Sequence, residues 1–204
     1  MTVIPFSSAF KGRKGDGDKH TLKTAAGMFA KKGYYRTTVD EIARALGVAK
    51  GTIYYHFKNK EELYLAVIQE GINLLEERLR QAASGSVSRR EKVERMIGSL
   101  LAFIEREKDL VFLFLKELCG SDLQREVLAK MLSGCLLIIR NVIEEGMEDG
   151  TFREIDPETA ARSLFGMTTI SALHYISYSR SIPHDKVRGT IEQIFFRGSA
   201  NPDF

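Results

Sequence analysis

Thr38-Val39-Asp40-Glu41-Ile42-Ala43-Arg44-Ala45-Leu46-Gly47-Val48-Ala49-Lys50-Gly51-Thr52-Ile53-Tyr54-Tyr55-His56-Phe57 is the stretch that decides the fold. Thr38 followed three residues later by Glu41 is a capping box, the start signal of a helix. Val39, Ile42, Ala43 and Leu46 form one apolar stripe at helical spacing, and Gly47 stops it. A second short helix then runs from about Ala49 or Lys50 to Phe57, with Ile53 and Phe57 four apart on one inward face. Two short helices joined by a glycine turn make a helix-turn-helix. In such a unit the second helix offers its exposed N-terminal residues to a major groove, and the first braces it. Lys50, Thr52, Tyr54, Tyr55 and His56 fall on the outward faces. They offer donors and aromatic edges with little formal charge, a surface suited to base edges.

Outward from this core the pattern stays helical. Leu22, Ala25, Ala26 and Phe29 mark a helix from about Asp18 to Lys32, ended by Gly33. Asn59-Lys60-Glu61-Glu62 opens a long helix of about 24 residues, which at ~1.5 Å per residue reaches roughly 36 Å. After the break Ser84-Gly85-Ser86, five more helices are expected at roughly 88–106, 109–119, 122–148, 156–180 and 184–197. Asp156-Pro157-Glu158 is a capped start with proline at the first helical position. No alternating strand pattern persists. The expected class is all-α, with about nine helices. Residues 1–17, with Lys11, Arg13, Lys14 and three glycines, read as a flexible basic arm. The expected organisation is this arm, a DNA-binding domain at 18–62 and a helical body at 63–204.

Charge supports a polyanionic partner for the first part. The chain carries a net +3, yet residues 1–60 hold twelve basic residues against four acids, +8, which leaves −5 for the remainder. A basic head on an acidic body fits DNA, RNA or a membrane surface on charge alone, and the motif selects DNA. No stretch approaches the ~20 apolar residues of a membrane span, and no export signal is evident, so a cytoplasmic protein is expected. Catalytic and metal motifs are missing from the sequence: the four histidines, His20, His56, His174 and His184, have no metal-ligand spacing. No enzyme activity, metal or cofactor is expected. Cys119 and Cys135 lie in apolar helical surroundings, where a reduced core thiol is the simpler reading and a redox role is left open.

The run from Gly33-Tyr34-Tyr35-Arg36-Thr37-Thr38 through His56-Phe57-Lys58-Asn59-Lys60-Glu61-Glu62-Leu63 resembles the N-terminal domain of the tetracycline-repressor family, over about residues 18–70. Ala49 departs from the family, which often places a capping serine there. The resemblance implies that Thr38 caps the second helix and touches phosphate. It implies that Lys50, Gly51 and Thr52 open the recognition helix, that Tyr54, Tyr55 and His56 approach bases and sugar-phosphate, and that Lys60 holds phosphate. Gly51 costs a helix ~1 kcal/mol relative to alanine, so it invites either close backbone approach to DNA or close packing against another helix. His56 as a helix-end cap, Tyr54 and Tyr55 as half-buried aromatics, and Lys60 as a solvated charge are the plainer alternatives.

The resemblance also implies a homodimer on a palindromic double-stranded DNA operator, released by a small-molecule effector. The candidate effector-binding residues are Phe103, Phe114, Leu118, Met131, Cys135, Ile138, Phe165 and Thr169. Such an aromatic-rich, weakly charged set suits a largely apolar or planar ligand, or it simply fills a core. The candidate dimer face is Gly166, Ile170, Leu173, His174 and Ser177 on one helix with Ile191, Ile194 and Phe195 on the next. The alternative function is a DNA-binding dimer whose body serves only dimerisation or protein interaction.

Overall fold

The computed structural model describes residues 17–118, 122–179 and 181–199. The basic arm up to residue 16, Cys119 and the side chain of Leu118 lie outside the described residues. Nine helices occur among the described residues, in the expected order: α1 Gly17–Lys32, α2 Val39–Leu46, α3 Lys50–His56, α4 Lys60–Ala83, α5 Arg89–Arg106, α6 Lys108–Leu118, α7 Asp122–Glu148, α8 Pro157–Ser179 and α9 His184–Ser199. No strand forms among the described residues, and none of their helices is long and apolar enough to cross a membrane.

Local chemistry sets the helix ends. The Asn59 side chain accepts the Glu62 N–H at 2.8 Å, and the Ser88 hydroxyl accepts the Glu91 N–H at 3.1 Å. Asp156 accepts the Thr159 N–H at 2.6 Å, just before Pro157. Each bond satisfies a donor that a helix start would otherwise leave orphaned. Gly33, Gly47, Gly85 and Gly150 take left-handed φ values between 63° and 90° at the breaks.

The chain forms two compact units. The first comprises the described residues of Met1–Leu74 and Asp109–Met131. In it α1 packs on α2 and α2 on α3, around Leu22, Phe29, Ile42, Ile53, Phe57 and Leu63, all nearly excluded from water. α6 packs against this group: a Cβ on Gly71 of α4 would lie 3.1 Å from the Leu110 side chain, and one on Gly27 of α1 would lie 3.2 Å from Asp109 Oδ2. The second unit comprises the described residues of Leu75–Lys108 and Leu132–Phe204. There α5, α8 and α9 pack mutually. After α7 the chain folds back, the Phe152 N–H donates to the Gly146 carbonyl at 2.8 Å, and the Phe152 ring meets Phe195 and Phe196 at centroid distances of 6.4 and 6.3 Å. Arg89 of α5 clamps the end of α7 through Glu145 at 3.0 Å and Asp149 at 3.2 Å.

Candidate nucleic-acid interface

The candidate interface is built from the ends of α2 and the outer face of α3. The Thr38 hydroxyl accepts the Glu41 N–H at 3.2 Å, and Glu41 Oε2 accepts the Thr38 N–H at 3.1 Å, completing the capping box. Lys32 of α1 donates to the other Glu41 oxygen at 2.7 Å. Lys32 first, and then the Thr38 donors, hold the Glu41 carboxyl down at about 2, against an ordinary value of 4.5. Gly47, with φ 63°, ends α2 in the left-handed region, and the chain restarts at Ala49.

α3 hangs from two anchors. Ile53 is 1% and Phe57 0% exposed, while Tyr55 is 85% and Tyr54 45% exposed. Lys50, Gly51 and Thr52 are exposed at its start, and the His56 ring is half-buried and packs edge-on to Tyr55 at 5.0 Å. Ala49 supplies no side-chain cap. A Cβ on Gly51 would meet no atom within 4 Å among the described residues, so no close packing among them accounts for that glycine.

Both lysines among the expected DNA-binding residues, Lys50 and Lys60, are engaged within the chain. Lys50 Nζ pairs with Asp40 at 2.8 Å, which raises the lysine pKa. Lys60 Nζ donates to the carbonyls of Tyr34 at 3.0 Å and Tyr35 at 3.4 Å and lies 4.4 Å over the Tyr34 ring. The α1–α2 turn also presents Tyr35, 90% exposed, and the exposed Arg36. Neither was among the expected site residues, because a turn residue carries no periodicity or cap signal.

The expected effector-binding residues divide between the units. Phe114, Leu118 and Met131 belong to the first. Phe103, Cys135, Ile138, Phe165 and Thr169 belong to the second, where Phe103, Cys135, Ile138 and Thr169 are buried and Phe165 is half-buried. The Thr169 hydroxyl is buried without a hydrogen-bond partner among the described residues. Burial, and secondarily the charge of Glu76, push the Cys135 thiol up to about 12. The expected dimer face also divides. Ile170 is 63% and Ile194 58% exposed, with His174 and Ser177 exposed and Gly166 half-buried. Leu173, Ile191 and Phe195 are instead buried within the second unit.

Residues 22–67 match the family described as bacterial regulatory proteins, tetR family, and residues 86–175 match the tetracyclin repressor-like C-terminal domain. The HTH-type transcriptional regulator YhgD of Bacillus subtilis is 28% identical over 91% of this chain and 98% of its own length. The fatty acid metabolism regulator protein of the same organism is 29% identical over 71% of this chain and 76% of its own length. The crystal structure of the transcriptional regulator FadR from Bacillus subtilis in complex with stearoyl-CoA shares the fold, with a TM-score of 0.79, 24% identity and coverage of 88% of this chain and 98% of that one. A capped brace helix, an anchored reading helix with its aromatic face outward, and family matches to both parts of the chain lead to one assignment: the chain belongs to the tetR family of bacterial regulatory proteins and is a DNA-binding transcriptional regulator.

Proposed function

We propose that this regulator represses transcription as a homodimer on a palindromic operator and leaves it when a long-chain acyl-CoA occupies the body. The observation that carries the operator reading is the outer face of α3: two tyrosines, a threonine and a glycine backbone stand open beside core anchors at Ile53 and Phe57. Two-fold symmetry would place two such helices in successive major grooves, ~34 Å apart in simple cases. The exposed Ile170 and Ile194 support α8 and α9 as the dimer face, because exposed aliphatics on neighbouring helices invite a self-complementary partner. The acyl-CoA class rests on the likeness to a fatty acid metabolism regulator, and it agrees with the largely apolar candidate residues.

The proposed coupling runs along α4, 24 residues long, whose residues divide between the two units at Leu74 and Leu75. A ligand that prefers one orientation of this helix changes the spacing of the heads, and coupling energies of about 1–3 kcal/mol suffice to empty an operator. The test measures binding to a duplex selected from a randomised pool, with and without saturating stearoyl-CoA. Loss of affinity supports the reading. Equal affinity at saturation means that stearoyl-CoA does not control the head, and it favours a body that serves dimerisation or protein interaction. Ile170→Asp with Ile194→Asp is expected to sediment as a folded monomer that protects no symmetric footprint, and a persistent dimer would place the interface elsewhere.

A further inference from the structure

We infer that Lys60 positions the α1–α2 turn against the operator backbone, and that Arg36 on that turn, not Lys60, neutralises the phosphate there. This rests on the DNA-binding reading and deepens it. The turn is tied at one end and over its middle. At one end Thr37, fully buried, donates its hydroxyl to the Gly33 carbonyl at 2.8 Å and to the Met28 carbonyl at 3.3 Å. Over its middle, Lys60 reaches 26 residues back from the start of α4 to the Tyr34 carbonyl, and it also donates to that of Tyr35. The Tyr34 ring under the ammonium is itself fixed, stacked on Phe29 at 6.3 Å and tilted against Tyr64 at 5.0 Å, and both of those are buried.

An ammonium has three donors and no acceptor capacity. Lys60 has donated to two carbonyls and rests on an aromatic face, so swinging out to a phosphate would release the turn. The two side chains that this clasp projects do little inside the protein. Tyr35 is 90% exposed, with its ring edge-on to Tyr34 at 5.3 Å. Arg36 is exposed and makes no ion pair among the described residues. Thr38, the cap of α2, follows immediately. A backbone held rigid around two outward side chains has already met the ordering cost of a contact. A guanidinium there matches a phosphate with two parallel hydrogen bonds, and the tyrosine hydroxyl adds a donor beside it. Lys50 pairs with Asp40 at 2.8 Å in a solvent-exposed contact on the next helix.

Salt dependence separates the roles, because each phosphate neutralised adds about 0.9 to the slope of log affinity against log salt. The probe is a duplex selected from a randomised pool by the wild-type protein, titrated from about 50 to about 200 mM salt. Arg36→Gln, an exposed substitution, is expected to make the slope shallower by about 1.8 for a dimer. Lys60→Met is expected to weaken binding, and the double variant to match Arg36→Gln in slope and within about twofold in affinity, since the two act through one contact. An unchanged slope in Arg36→Gln overturns the inference. So does a double variant shallower by about 3.6 with multiplied losses, which gives Lys60 a phosphate of its own. A wild-type protein that selects no duplex fails earlier, and it removes the DNA-binding reading itself.

Discussion

The helix-turn-helix segment and the second unit solve the problem of holding helices together in different ways. In the first, polar groups clasp segment ends: Thr38 with Glu41 and Lys32, Thr37 with Gly33, and Lys60 with the Tyr34 and Tyr35 carbonyls. Its third helix turns two buried apolar residues, Ile53 and Phe57, inward among the described residues. In the second, a long list of buried aliphatics from α5, α8 and α9 does the work, with Phe152 packed on Gly146. A clasp needs one residue type at one place, whereas apolar packing accepts any set that fills the volume.

The sharpest way to break this comparison is Phe57→Ala. Removing a fully buried ring is expected to cost about 3–5 kcal/mol. Phe57 is one of two buried residues at the end of α3, so amide protection over residues 50–57 should collapse and operator binding vanish with it. Retention of both would show that α3 is held by something other than its two anchors.

Gly146→Ala probes the other side. Alanine is ordinarily better than glycine inside a helix, but here the new methyl would overlap the buried Phe152 ring. Overpacking of this kind is expected to cost about 1–3 kcal/mol, read in a denaturant melt. Exchange should rise around residues 143–152 and 195–196 and stay unchanged over 39–57. A stabilised variant would mean that the Phe152 cluster yields easily, and the packed interior would lose its contrast with the clasped head.

Acid acts on the clasp. Glu41 is held at about 2 when folded, against an ordinary 4.5. Its contribution to stability is therefore complete above pH 4.5 and is lost as the pH falls from there through about 2. Glu41→Gln should flatten the acid sensitivity of α2 in that window and leave the second unit's unchanged, as read by residue-resolved exchange or chemical shifts. Equal flattening in both would remove the distinction.

The smallest expected effect is no effect. With its thiol held up to about 12 and its side chain fully buried, Cys135 carries almost no thiolate at pH 8. Iodoacetamide should leave it unmodified in the native protein and alkylate it in urea, with peptide mapping separating it from Cys119. Fast native alkylation would show a second unit far more open than its packing.

What the sequence alone determined lies within a few residues of itself. The capping pairs Thr38 with Glu41, Asn59 with Glu62 and Asp156 with Thr159 set the starts of α2, α4 and α8, and Ile53 and Phe57 at i and i+4 set the buried side of α3. Such signals are readable because a helix fixes which residues three and four apart must meet. Only the tertiary structure decided that Lys50 spends its charge on Asp40, that Lys60 reaches back to the α1–α2 turn, and that Leu173, Ile191 and Phe195 turn inward while Ile170 and Ile194 stay exposed. Those outcomes depend on how helices cross and which long side chains then fall within reach. The apolar period of a single helix marks two or three adjoining faces and does not say which of them its neighbours will cover.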